Sequence, residues 1–120
     1  MKFLLLVAHG SRRAESNNEI GELAARLAGI ARDQFDGVMH AFLELAEPSI
    51  PEGIEACIQA GASEVVVMPY FLAAGRHVQE DIPEIIDAKK GDHPDCSIHI
   101  TPYLGTATEL PELLLALSQR

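Results

Sequence analysis

Val65–Ile82 reads VVVMPYFLAAGRHVQEDI. Val65 to Met68 is a run of buried-strand character, and Pro69-Tyr70 closes it, because proline cannot donate to a strand ladder. Phe71-Leu72-Ala73-Ala74-Gly75 is an unusually apolar loop. Arg76-His77 stand where a helix opens, with Glu80-Asp81 in its first turn. An apolar loop that ends in Arg-His has the character of a pocket wall and floor. A second stretch matches it at the N-terminus, LLLVAHGSRR over Leu4–Arg13, where another apolar run breaks at His9-Gly10-Ser11.

Outward from these two stretches the chain alternates strand and helix. Phe3–Ala8 is apolar throughout, as expected of a strand covered on both faces of a parallel sheet. A first helix is predicted from Ala14 to Gln34, with Ile20, Leu23, Ala24 and Leu27 at amphipathic spacing. Val38–Leu45 is predicted as strand two, with Glu44 at its end. Ser49-Ile50-Pro51-Glu52 fits a capping box, and the second helix carries Ile54, Cys57 and Ile58 inward and stops at Gly61. Strand three is Glu64–Met68. Helix three spans Val78–Lys89, with Ile82, Ile85 and Ile86 inward. Gly91–Asp95 is a polar loop, and strand four runs from Cys96 to Thr101. Thr106-Ala107-Thr108-Glu109 offers a second capping box ahead of a helix holding Leu110, Leu113, Leu114 and Leu117. A β-α unit repeated four times predicts an α/β fold, a four-stranded parallel sheet with helices on both faces.

Composition bounds the rest. The chain has 120 residues, which suit one domain over 1–120. Aromatics are only 5%, so Leu, Ile, Val and Ala must fill the core. The net charge of −9 argues against general nucleic-acid or anionic-membrane binding, but not against a small anion that feels local charge. Two cysteines, Cys57 and Cys96, make no disulfide framework, and six apolar residues after Met1-Lys2 are too few for a signal peptide or a membrane span. The expectation is a cytoplasmic protein.

In open α/β sheets, ligands bind beyond the carboxyl ends of the strands. His9, Glu44 and His77 all fall on that edge. Two imidazoles and a carboxylate suit a divalent first-row metal, and an imidazole is the natural proton acceptor near neutral pH. Arg12, Arg13 and Arg76 flank the histidines, so three of the nine basic residues supply positive charge there. Other candidates read as structural. His40 shares a strand face with Phe42 and Glu44 and reads as a packed or edge histidine. His93, Cys96 and His99 straddle a loop and a strand at a spacing that fits no good zinc template. Cys57 reads as core.

Taken together, Leu4–Arg13, the Asn17-Asn18 pair, AFLELAEPSI over Ala41–Ile50 and Val65–Pro83 resemble the small CbiX-type class II chelatases. These are relatives of sirohydrochlorin cobaltochelatase, sirohydrochlorin ferrochelatase and, more distantly, protoporphyrin ferrochelatase. The resemblance implies a flavodoxin-like chelatase half and a lyase that inserts a divalent metal into sirohydrochlorin, in cobalamin or sirohaem-type tetrapyrrole biosynthesis. Cobalt is the expected metal, with iron or nickel as alternatives; the metal is a substrate, and no cofactor is retained. His9 and His77 are implied to hold the metal and take pyrrole protons, and Glu44 to be the acidic partner in metal binding. Ser11, Arg12, Glu44, Phe71, Leu72, Ala73, Ala74, Gly75 and Arg76 fall where the macrocycle would be cradled. Longer members carry two such units in one chain, so the resemblance implies a homodimer here, with the Leu113-Leu114-Leu115 helix as an interface or, alternatively, a core helix. Two other readings stay open. One is a phosphohistidine carrier resembling mannose-type IIA domains, which also place His-Gly after the first strand. The other is a non-catalytic metal or tetrapyrrole carrier. A histidine phosphatase fits less well, since Ala8 stands where its motif wants Arg.

Overall fold

The computed structural model describes residues 1–73 and 75–120, and of His77 the backbone alone. Four strands, β1 (Lys2–Ala8), β2 (Gly37–Phe42), β3 (Glu64–Pro69) and β4 (Ser97–Ile100), form one parallel sheet in the order β2-β1-β3-β4. The helices are α1 (Ala14–Ile30), α2 (Ile50–Gln59), α3 (Ile82–Asp92) and α4 (Leu110–Ser118). The strand order reverses between β1 and β3, so the loops leaving those two strands diverge and open a crevice at their carboxyl ends.

Strand alternation explains the two faces. Phe3, Leu5 and Val7 of β1 point one way with Val65 and Val67 of β3, against Ile50, Ile54 and Cys57 of α2 and Ile82 and Ile86 of α3. Leu4 and Leu6 point the other way, where α1 supplies Leu23 and Leu27. β1 is therefore covered on both faces, as its unbroken apolar run demands. Each fully buried branched side chain of this kind stabilises the fold by about 1.5–3 kcal/mol.

Local sequence sets most of the boundaries. The predicted capping box at Ser49 is present: the Ser49 N–H donates to Glu52 Oε1 at 2.9 Å and the Glu52 N–H to Ser49 Oγ at 3.3 Å. α2 ends in a Schellman pair, with Ala62 N–H donating to Cys57 O and Gly61 N–H to Ile58 O. Helix one stops short of Gln34. Ala31 caps it, and the Asp36 N–H donates to the Lys2 carbonyl at 2.8 Å, drawing the chain toward the start of the sheet. Strand two ends at Phe42 rather than Leu45, because the Phe42 N–H turns to the Pro48 carbonyl at 2.8 Å and Leu45 takes a left-handed φ of 67°. Helix three is preceded by a π-helical turn over His77–Asp81. The second capping box does not form. Thr106 instead closes a 3-10 turn by donating its hydroxyl to the Tyr103 carbonyl, and α4 begins at Leu110. A helix started at Ala107 would carry Pro111 in its interior, where the ring clashes with the preceding turn.

Glu55 ties α2 to the end of α3. Its Oε2 accepts from Lys89 Nζ at 2.8 Å and pairs with His93 Nε2 at 2.7 Å. Lys89 first, then His93 and Gln59, hold the Glu55 carboxyl down at about 2, against an ordinary 4.5. Because the folded value is the lower one, the stabilisation is present above the ordinary value and is lost as pH falls through the folded value. Two outcomes are expected. Glu55→Gln lowers the thermal midpoint at pH 6, and the gap from the parent closes between about pH 5 and pH 2 in melts followed by circular dichroism. Ile54→Ala, at a side chain with no exposure, costs about 2–5 kcal/mol in urea unfolding.

Candidate functional site

The parallel ladder does not stop where β1 and β2 end. The Leu43 N–H donates to the Ala8 carbonyl at 2.9 Å and the Glu44 N–H to the His9 carbonyl at 3.0 Å. This brings the two side chains together: His9 Nε2 lies 2.9 Å from Glu44 Oε1, and both are about half exposed. An ionised carboxylate only accepts, so the imidazole donates to Glu44 from Nε2. Gly10 permits the approach. Its φ is +100°, and a Cβ there would lie 1.7 Å from the Glu44 carbonyl oxygen.

The loop after Gly10 is tied down as firmly. The Asn17 side chain accepts from the Ser11 N–H at 3.0 Å and donates to the Ser11 carbonyl at 2.7 Å. The Arg13 N–H donates to Ser11 Oγ at 3.0 Å. Arg12 and Arg13 are exposed at the start of α1.

The third side of the crevice is the loop leaving β3. Phe71 is half-buried and meets the His9 ring edge-on, with centroids 6.4 Å apart. Leu72 is 70% exposed, a large apolar side chain open to solvent beside a polar pair. Gly105 supports this wall from the β4–α4 connection: its N–H donates to the Phe71 carbonyl at 2.9 Å, and a Cβ on it would lie 1.8 Å from the Leu72 carbonyl oxygen. Ala73 and Gly75 are exposed, and Arg76 pairs loosely with Glu80 at 3.8 Å. The call on Ala74 lies outside the described residues, as does the side chain of His77, whose backbone opens the π-helical turn. Among the described residues, no group of three or more His, Cys, Asp or Glu side chains is arranged to hold a metal; His9 and Glu44 form a pair.

The other histidines stand away from this edge. His40 packs edge-on against Phe42, with centroids 5.6 Å apart. The three members of the His93-Cys96-His99 pattern have separate partners: His93 holds Glu55, His99 holds Glu64 at 3.0 Å, and Cys96 packs against the core. His93 and Cys96 line a cavity of about 390 Å³ with Ser63 and Asp92, at the opposite end of the sheet from His9. Cys57 is fully buried in the core, and burial pushes its thiol up to about 11.

The CbiX family model matches residues 3–120. The chain belongs to the CbiX family. Among curated relatives, it is 44% identical to the sirohydrochlorin cobaltochelatase of Methanococcus maripaludis over 77% of this chain and 62% of that one. It is 39% identical to the chloroplastic sirohydrochlorin ferrochelatase of Arabidopsis thaliana over 85% of this chain and 44% of that one. The chain thus spans less than two thirds of the length of these relatives. The fold aligns with the sirohydrochlorin chelatase SirB of Bacillus subtilis subspecies spizizenii, solved in complex with cobalt. The TM-score is 0.85 at 29% identity, over 98% of this chain and 50% of SirB. The four-stranded parallel α/β architecture is the one this family shares, and the match leaves the phosphocarrier reading without support.

Sequence reasoning passed over Asn17 as a functional residue, although an asparagine inside a helix start is a poor helix former and signals a side-chain task. It also passed over Gly105, which nothing local marks. Gly10 is where the geometry is least forgiving. Gly10→Ala is expected to destabilise the protein by more than about 1 kcal/mol in urea unfolding, because the new Cβ meets backbone at a positive φ.

Proposed function

We propose that this chain is a sirohydrochlorin chelatase, a lyase that inserts a divalent metal into the tetrapyrrole. The observation that carries the proposal is the His9–Glu44 pair, 2.9 Å apart at the crevice between β1 and β3 and beside an apolar wall, in a chain of the CbiX family. Cobalt is the proposed metal and iron the next, since relatives of both names match; nickel stays a third option.

Insertion exchanges one metal ion for two pyrrole protons, so the site must hold a dication, receive protons and seat a flat ring. His9 can do the first two in turn. Its imidazole accepts a proton or the metal, while Glu44 stabilises the imidazolium that proton uptake creates. Glu44 is also a ligand of the incoming metal in this reading, and His77, at the start of the turn that follows the β3 loop, is the second imidazole. Phe71, Leu72, Ala73 and Gly75 form the apolar wall for one face of the ring, with Ala74 assigned to it from its place in the sequence; contact there favours a bent macrocycle with exposed nitrogen lone pairs. Arg12, Arg76 and Ser11 meet the ring's carboxylates, and Arg76 exchanges Glu80 for one of them. A metal or tetrapyrrole carrier would use the same groups without turnover.

One unit over residues 1–120 gives half a cleft for so large a ring, and the proposal includes a homodimer. What supports it is α4: none of its residues is buried, and Leu113, Leu114, Leu115 and Leu117 are 47–65% exposed. That exposure argues against the core-helix alternative for these leucines. An apolar groove of about 250 Å³ also lies open between α1 and the sheet, lined by Leu4, Leu6, Leu23, Leu27, Met68 and Tyr70. A second copy covers both surfaces.

Absorbance of sirohydrochlorin with cobalt(II) or iron(II) tests the activity. The parent is expected to insert metal above the spontaneous rate, and His9→Ala or His77→Ala to lose about 10²-fold or more, as removal of a proton acceptor does. Glu44→Gln is expected to lose about tenfold or more. Tetrapyrrole binding with no rate enhancement for any divalent metal would identify a carrier. Separately, light scattering should give a dimer mass for the parent and a monomer mass for the double substitution Leu114→Arg, Leu115→Arg. A parent monomer at high concentration would remove the dimer from the proposal.

A further inference from the structure

The Asn17 side chain makes two hydrogen bonds to one residue. Its amide oxygen takes the Ser11 N–H at 3.0 Å and its amide nitrogen donates to the Ser11 carbonyl at 2.7 Å. The amide thereby offers Ser11 the donor and acceptor that a neighbouring strand would offer, just where β1 has run out of partners. Among the other side chains only glutamine carries the same amide, on a stem one methylene longer. Aspartate has an acceptor but no donor for the carbonyl, and leucine has neither.

What Ser11 controls is His9. Only Gly10 separates them, and its backbone at φ +100° packs directly against the Glu44 carbonyl. On the near side of that joint, the Glu44 N–H holds the His9 carbonyl. On the far side, the Asn17 amide holds both backbone groups of Ser11. Without the far anchor the chain beyond Gly10 shifts, the Gly10–Glu44 backbone contact loosens, and with it the register of His9 against Glu44. We propose that Asn17 is a positioning residue for metal insertion, holding the Ser11 backbone so that the His9 imidazole stays registered against Glu44. This inference rests on the chelatase reading above, and it predicts that the identity of residue 17 is read in turnover rather than in stability.

Asn17→Asp separates the two roles. A carboxylate in the first turn of α1 favours the helix electrostatically, so the thermal midpoint should hold or rise. The Ser11 carbonyl, however, faces a second acceptor and the clamp opens. The expected result is a loss in kcat of about tenfold or more with KM within about twofold, as for a reacting group displaced by a fraction of an ångström. Asn17→Ala should lose as much in kcat, and Asn18→Ala, at the exposed neighbour, should leave kcat unchanged. Cobalt(II) titration without tetrapyrrole, followed in the visible d–d bands, should show about tenfold weaker binding by Asn17→Asp and Asn17→Ala. That readout stands apart from turnover: a parent that binds cobalt(II) but inserts none sinks the chelatase reading while the titration still judges Asn17. If Asn17→Ala fails to fold, Asn17→Asp decides alone. Folded variants within twofold of the parent in kcat and in cobalt(II) affinity overturn the proposal, and a parent with neither insertion nor cobalt(II) binding overturns both.

Discussion

The Glu44 N–H to His9 carbonyl bond, 3.0 Å long, is the joint on which the site depends. It extends the β1–β2 ladder past the last regular pair, Ala8 with Phe42, and so carries strand precision out into the loops. Everything at the crevice is referred to it. Gly10 exists in the conformation it has because the Glu44 carbonyl lies where its side chain would be. The side chains of His9 and Glu44 then meet as a consequence of their backbones being paired. Long polar side chains on independent loops would lose more rotamer freedom to reach the same geometry.

The wall opposite is built on the same logic with different atoms. Phe71 and Leu72 follow β3, and Gly105 lies against their carbonyls from the far loop. Backbone contact again fixes the apolar side chains, which have no polar partner to orient them. The result sets a hydrogen-bonded pair beside open apolar surface. That combination suits a ligand that is flat and greasy across its faces but carries exchangeable protons at its centre. Arg12 and Arg13 lie exposed just before α1 and Arg76 just after the β3 loop, so an anion at this edge meets local positive charge despite the net charge of −9.

Much of this was legible in the amino-acid order. The apolar runs at Phe3–Ala8 and Val65–Met68 read as strands covered on both faces, and His9, which breaks the first, falls at the carboxyl edge. The capping box at Ser49 was legible because it is local. What failed to read was set by distant atoms. The end of β2 is decided by the Pro48 carbonyl turning back to Phe42, and the end of α1 by the Lys2 carbonyl calling in Asp36. Thr106 and Glu109 had the spacing of a cap, but Pro111 moved the helix start past them. The leucines of α4 carried a periodicity that fits core and interface equally; only their exposure distinguishes the two. The clamp from Asn17 was hidden because its partner is main chain, which has no signature in the sequence.

The exposed leucines of α4 sit on a chain with a net charge of −9. Two copies approaching each other through that helix feel an apolar attraction that salt strengthens and a like-charge repulsion that salt screens over about 10 Å at 0.1 M. Both terms move the same way. The proposed dimer would therefore be tuned by ionic strength, with dilute buffer favouring separate copies and added salt favouring apposed ones.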